Sequence, residues 1–309
     1  MDVIHGLREL PPDGSAVTIG FFDGVHRGHQ DVIRRTVQEG RARGLRPVAV
    51  TFDRHPREVL TPGNVPLLLT SLRRKAELID EVGIDALVVL KFDEAFSRWS
   101  PEDFVSRVLA HALHTELAVV GENFTFGHKA AGTFEVLGRL GEQHGFSVEG
   151  VTLFEIDGRP VSSTSIREAL VAGDLDWPER ALGRRYIVDG TVVPGAGRGA
   201  DLGFATANLR TPAGILLPGE GVYAGRAYLA DRTWAAAINI GTNPTFGGEP
   251  LHLEAHLLDF DEDIQGQVLS VELWERLRDE MKFDSPKALA AQIRQDVDRT
   301  RELLGKPGA

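Results

Sequence analysis

From residue 16 to about residue 183 the chain alternates between short apolar runs and longer stretches in which apolar residues recur every three or four positions. Apolar runs at 16–22, 47–52, 86–92, 117–121 and 147–154 predict buried strands, and the spacing at 31–42 and 72–82 predicts amphipathic helices. In the second of these, Leu72, Ala76, Ile79 and Val82 share one side and Gly83 is a stop signal. A further helix begins after Ser100, an N-cap residue, with Pro101 at its first position and Asp103 strengthening the start. These helices are read as core elements without chemistry. Strand and helix in alternation predict an α/β domain whose parallel sheet is covered on both faces.

Past Gly183 the rhythm changes to short strands separated by Gly and Pro, at 186–193, 221–229, 233–240, 251–258 and 268–276. Such a series predicts a closed antiparallel barrel. One helix closes the chain, capped by Ser285 and Pro286, with Leu289, Ile293, Val297 and Leu304 along the face that packs on the barrel. Two domains follow, 1–183 and 184–309, as 309 residues also favour.

Composition narrows the field. Hydrophobic residues at 42% and charged residues at 26% describe an ordinary soluble protein, and 34 basic against 45 acidic side chains leave a net charge of −11. That balance disfavours nonspecific nucleic-acid binding. There is no cysteine, which removes disulfides, thiolate metal sites and a cysteine nucleophile. No basic-then-apolar leader and no membrane-length apolar run stand out, so the expectation is a cytoplasmic protein without a membrane partner.

The chemistry is concentrated between Val17 and Gln30, where a strand, the Asp23-Gly24 turn, His26, Gly28 and His29 fall together at the start of a helix. Free N–H groups at a helix start favour phosphate, and Gly28 lets the backbone approach a ligand. Polar clusters leave later strands at the end where ligands bind in open α/β sheets: Thr51 to Pro56, Gly121 to Gly127, and Ser162 to Arg167. Hydroxyls at a helix start followed by Arg167 one turn in would suit the β- and γ-phosphates of a nucleotide, though by itself the segment reads more simply as a serine-rich N-cap with a surface arginine. Phe124 and Phe126 either pack a planar ring or fill the core. No P-loop exists anywhere. Gly195-Ala196-Gly197-Arg198-Gly199-Ala200 fits a dinucleotide fingerprint with Glu220 downstream, but no helical spacing follows it. A glycine-rich flap closing over ATP phosphates, with Arg198 as a cation, fits better, with a plain surface turn as the alternative.

His26-Arg27-Gly28-His29 after a first strand resembles the nucleotidylyltransferase signature and, more distantly, that of class I aminoacyl-tRNA synthetases; alone it names no acceptor. Together with Thr51-Phe52-Asp53-Arg54-His55-Pro56, Gly121-Glu122-Asn123-Phe124-Thr125-Phe126-Gly127, Gly132 and Ser162-Ser163-Thr164-Ser165-Ile166-Arg167, it makes the first half resemble the FMN adenylyltransferase module of the bacterial bifunctional riboflavin kinase/FAD synthetases. The resemblance implies a Rossmann-like fold and FMN as acceptor. It implies ATP contacts at Gly20, Phe21, Asp23, Gly24, His26, His29, Asn123, Ser162, Ser163, Thr164 and Arg167, and flavin contacts at His55, Pro56, Phe124 and Phe126. The catalytic groups would be His26, His29 and Arg167.

Residues 195–209 resemble the flavokinase signature, with Ala205 where that pattern has proline, and the same family accounts for segments 218–223, 239–246, 254–257 and 278–283. Gln265 departs from the family's aromatic before Gly266. By this match Gly197, Arg198, Gly199, Thr206 and Asn208 bind ATP, Thr206 and Asn208 hold Mg²⁺, Asn243, Thr245 and Arg278 contact flavin, and Glu254 is the base. The implied enzyme phosphorylates riboflavin to FMN and adenylylates FMN to FAD, with Mg²⁺ and ATP at both steps. Two alternatives stay open: a nucleotidylyltransferase with another acceptor fused to a flavin-binding barrel, and a flavin or nucleotide sensor without turnover. The number of copies in solution is left open.

Overall fold

The computed structural model describes residues 1–195, 203–242 and 251–305. By internal contacts the chain divides into two compact units, Met1–Ser163 and Thr164–Ala309.

The first unit is built on a six-stranded parallel sheet in the order β1-β4-β3-β2-β5-β6. Its strands are β1 (Asp2–His5), β2 (Ser15–Ile19), β3 (Arg46–Phe52), β4 (Ala86–Leu90), β5 (Thr115–Gly121) and β6 (Ser147–Val151). Five of the six were predicted to within a few residues. β1 was not, because an exposed four-residue edge strand has no buried run to show. The helices include α1 (Arg27–Ala42), α2 (Pro56–Leu60) and α3 (Leu72–Val82). After these come α4 (Glu94–Ser97), α5 (Pro101–Phe104) and α6 (Phe134–His144). Ser71 and Ser100 cap α3 and α5 through their side chains. α1 starts four residues earlier than its apolar spacing suggested, because His26 caps it.

Alternate residues of each strand serve opposite faces of the sheet. Val17, Ile19, Val48, Val50, Val88 and Val120 pack with Leu109 and Leu137 on one side. Ala49, Leu87 and Val89 pack with Ile33 of α1 and Ile79 of α3 on the other. From β2 the chain winds outward through β3 and β4, then returns to add β5 and β6 on the opposite flank. The switch in direction therefore falls between β2 and β5, and ligands of such sheets bind beyond the C-terminal strand ends at that point.

The second unit carries α7, which spans Ser163–Val171 and so begins at the last residue of the first unit, then α8 (Asp176–Leu182) and a closed six-stranded barrel. The barrel order is β10-β13-β12-β11-β14-β9. A two-stranded ribbon in the first unit, β7 (Glu155–Ile156) with β8 (Arg159–Pro160), takes the preceding numbers. The barrel strands are β9 (Ile187–Val193), β10 (Ala207–Arg210), β11 (Gly221–Leu229), β12 (Arg232–Gly241), β13 (His252–Leu257) and β14 (Val268–Arg278), all paired antiparallel. β10 went unpredicted: at four residues it shows too little alternation. The last helix, α9 (Pro286–Leu304), capped by Ser285, packs Val297, Ile293 and Leu304 against Ala235 and Leu258.

Candidate active sites

In the first unit, β2 ends at Ile19 and the chain turns sharply before α1. Phe22 has φ 52°, Gly24 φ 79° and Val25 φ 41°. Positive φ is ordinary for Gly24 but costs on the order of 1–3 kcal/mol for a residue such as Val25. Burial offsets it, since Phe22 and Val25 are 3% and 1% exposed and pack with Ile33, Leu78 and Ile79. Asp23 locks the turn from inside. Its carboxylate, 2% exposed, accepts from the Leu69 N–H at 3.0 Å and the Thr70 N–H at 3.2 Å. The Asp23 side chain thus faces the protein, and a contact to ATP at this position would come from the backbone. The backbone carbonyl of Asp23 accepts from Ser163 Oγ at 3.0 Å, tying the last residue of the first unit to the same turn.

His26 is the N-cap of α1, its Nδ1 accepting from the His29 N–H at 3.3 Å. An accepting Nδ1 leaves the proton of the neutral ring on Nε2. The His26 and His29 rings stack with centroids 3.6 Å apart, and Phe22 meets His29 edge-on at 5.3 Å. His29 Nδ1 is buried without a hydrogen-bond partner among the described residues. Burial, then His26, then Lys75, holds the His29 imidazole well below the usual histidine range. The His29 imidazole is therefore neutral at neutral pH, and it sits with His26 at a helix N-terminus, where ring N–H groups can donate to phosphate oxygens.

Around this centre, His55 caps α2 through Nδ1, which accepts from the Arg57 N–H at 3.1 Å, with Pro56 at the first helical position. The Phe21 ring meets His55 at 4.8 Å. Beyond β5, on the other flank of the switch point, lie Asn123 and the stacked rings of Phe124 and Phe126, 5.4 Å apart. Of the two readings of these rings, Phe126 takes the core one: it is 8% exposed, packs on Phe104, and leaves no room for a Cβ at Gly132. Phe124 covers it and is half-buried. Gly20 likewise has Phe22 where a Cβ would sit. Ser162, Thr164 and Arg167 lie around the start of α7.

In the second unit, Glu254 on β13 is the register partner of Asn208 on β10 and of Asn239 on β12. Thr206 Oγ1 donates to Glu254 Oε2 at 3.2 Å, and His252 Nε2 lies 3.6 Å from Glu254 Oε1. Gly195 presses on the Asn208 amide so closely that a Cβ there would overlap it. Oxygens from Thr206, Asn208 and Glu254 thus gather at one barrel edge, a hard-donor set that suits Mg²⁺ carried by nucleotide phosphates. His256 Nδ1 bonds the Ala205 carbonyl at 2.8 Å. A cavity of about 210 Å³ opens beside Thr206, and Gln265 and Ile264 form part of its wall. Gln265 therefore borders the site.

Arg278 is engaged within the fold. Its guanidinium makes a bidentate pair with Asp296 of α9, at 2.8–3.1 Å, where the two side chains are 17% and 7% exposed. A direct flavin contact by Arg278 would have to compete with that pair. Gly197, Arg198, Gly199, Asn243 and Thr245 lie outside the described residues.

Residues 9–165 match the family described as FAD synthetase, and residues 182–304 match riboflavin kinase. Curated proteins named bifunctional riboflavin kinase/FMN adenylyltransferase align over nearly the whole chain. The one from Pseudomonas fluorescens is 38% identical, covering 98% of both chains. That of Escherichia coli K12 is 36% identical, covering 98% of this chain and 96% of its own. The chain belongs to the bifunctional riboflavin kinase/FMN adenylyltransferase family. A crystal structure from Streptococcus pneumoniae, described as a macrolide-efflux protein, superposes with a TM-score of 0.89 at 30% identity, covering 97% of this chain and 99% of its own. Among the described residues of this family member, no helix is long and apolar enough to cross a membrane.

Two groups escaped the sequence reading. Lys75 carried no signal, because a single lysine in an amphipathic helix reads as solvated surface. His252 could have been found from its spacing, since residues two apart on a strand share a face with Glu254.

Proposed function

We infer that this enzyme phosphorylates riboflavin to FMN at the barrel and adenylylates FMN to FAD at the parallel-sheet unit, using ATP at each step. The observation that carries the reading is the contrast between the two centres on one chain. One offers imidazole donors at a helix start without a carboxylate base, and the other offers a carboxylate held by a hydroxyl. Transfer to the primary hydroxyl of riboflavin needs a proton acceptor. In our assignment Glu254 takes that proton as the ribityl oxygen attacks the γ-phosphorus, and Thr206 keeps the carboxylate oriented. Mg²⁺ would neutralise phosphate charge at Thr206 and Asn208. FMN already presents an anionic phosphate oxygen, so its attack on the α-phosphorus of ATP needs no base. It needs stabilisation of the charge that builds on the transferring group and on departing pyrophosphate, the role we assign to His26, His29 and Arg167. Gly20, Phe21, Gly24, Asn123, Ser162, Ser163 and Thr164 complete the ATP contacts in this scheme. His55, Pro56 and Phe124 would face the flavin.

Incubation with riboflavin, ATP and Mg²⁺, followed by chromatography, tests this. FMN, FAD, ADP and pyrophosphate are the expected products. ADP and FMN without FAD would leave a kinase alone, and unchanged riboflavin would leave a sensor. We further assign adenylylation to 1–183 and phosphorylation to 184–309. Expressing 184–309 beside 164–309 checks that division, since FMN formation by both fragments is expected.

A further inference from the structure

Lys75 lies on α3, inside the first unit, and only 3% of it is exposed. Its ammonium sits 3.9 Å over the centroid of the Phe21 ring, whose other neighbour is His55. Three N–H donors are available to it, yet among the described residues its one hydrogen bond is a long one, 3.5 Å to Thr51 Oγ1. Thr51 in turn donates to the Phe21 carbonyl at 3.1 Å. The lysine therefore grips the same residue twice, by its ring directly and by its carbonyl through Thr51. Phe21 belongs to the turn that leads from β2 to the histidine pair.

A buried ammonium with so few partners is a poor structural choice, because desolvation costs more than one long bond and a ring face return. A methionine of similar volume would pack there at no electrostatic cost. Retention of the charge points to a use. We propose that Lys75 is a positioning residue for adenylyl transfer, its buried ammonium holding Phe21 and the Phe21–Gly24 turn in register with the histidine pair. The proposal rests on the bifunctional reading above and extends it to a residue outside every motif of the first half.

The electrostatics agree with the geometry. Burial lowers the Lys75 ammonium to about 8, opposed by the Asp23 carboxylate from the turn. The charge on Lys75 in turn helps keep His29 unprotonated, together with burial and His26. The titratable groups facing this cluster are Asp23 from the turn, His26 and His29 from α1, and His55 from the start of α2. Near neutral pH Lys75 is charged and His29, held well below the usual histidine range, is neutral, which is the arrangement the transfer uses. As pH rises past about 8 the ammonium is lost and Phe21 is released.

Full-length Lys75→Met and Lys75→Arg, assayed separately for FMN formation and for FAD formation from FMN across pH 5–10, decide the matter. In Lys75→Met, kcat/KM for FAD formation should fall roughly ten- to a hundredfold. Its acid limb should move up towards the ordinary histidine value, because a cation beside His29 is gone. The alkaline limb near pH 8 should vanish. Lys75→Arg keeps its charge throughout, so it should retain the wild-type acid limb while also losing the alkaline one. FMN formation should be unchanged in both, and thermal unfolding of Lys75→Met should not come earlier than in wild type. Wild-type rate with both limbs intact in Lys75→Met would overturn the proposal, as would an alkaline limb near pH 8 surviving in Lys75→Arg. If Lys75→Met fails to fold, the Lys75→Arg profile alone decides. A wild-type enzyme that makes no FAD would instead sink the bifunctional reading.

Discussion

On the assignment proposed above, the groups that meet phosphate in the parallel-sheet unit are a strained backbone turn and two imidazoles at the start of α1, whereas in the barrel they are side chains projecting from paired strands. The difference follows from what each acceptor brings. A phosphate acceptor arrives ionised, and a helix N-terminus with neutral donors can hold it and the departing pyrophosphate without moving a proton. A hydroxyl acceptor must lose a proton, and in our assignment the Glu254 carboxylate, whose direction Thr206 and the strand pairing fix, takes it. Helix ends supply N–H groups, and barrel rims supply side chains in a set register; each architecture lends itself to one of the two transfers.

Breaking one side of this contrast should leave the other standing. The largest effect is expected from Glu254→Gln, which keeps shape and removes basicity: FMN formation should fall about 10²–10⁴-fold, with FAD formation from supplied FMN unchanged. Nearly wild-type FMN formation would show that the proton goes elsewhere, with His252 at 3.6 Å the first place to look. His29→Ala should do the reverse, lowering FAD formation by about 10²–10³-fold with the kinase step intact, because a donor to the transition state is lost but no covalent intermediate. Loss of both activities in a folded variant would merge the two centres.

Next in size is Asp296→Ala, which strips Arg278 of its partner and should destabilise the barrel by about 3 kcal/mol in chemical denaturation. Stability close to wild type combined with a changed KM for riboflavin would place Arg278 at the flavin after all. The smallest effect concerns Ala205, whose N–H makes no hydrogen bond among the described residues while its carbonyl is held by His256. Proline there costs no bond and narrows the free loop, worth about 0.4–1 kcal/mol. Ala205→Pro should thus lower the kinase KM for ATP roughly two- to fivefold, with the adenylylation KM unchanged. A raised kinase KM would mean a backbone conformation that proline cannot adopt.

Much of this was legible from local pattern. The strand, turn and helix around Asp23-Gly24 could be read because two apolar periods meet at a glycine, and α3 and β11 were bounded to the residue for the same reason. Asp23 was misleading in one respect: a carboxylate in a phosphate-binding turn looks available, and only the Leu69 and Thr70 N–H groups, more than forty residues away, show where it points. Phe124 and Phe126 looked interchangeable, being two apart on one segment, until Phe104 and Gly132 closed around one of them.

Element type, order, the two architectures and the residue types available for chemistry were determined within the chain's own local spacing, because periodicity and turn preference act over a few neighbouring residues. Which of those residues carry an altered charge, and which are spent inside the fold, depended on partners far away in the chain. Lys75 reads as an ordinary surface lysine until α3 packs beside β3 and the Phe21 turn, and that Arg278 is also paired with Asp296 shows only once α9 is packed against it. Burial and pairing are properties of the assembled interior, where removing water makes a single charge costly and its neighbours decisive.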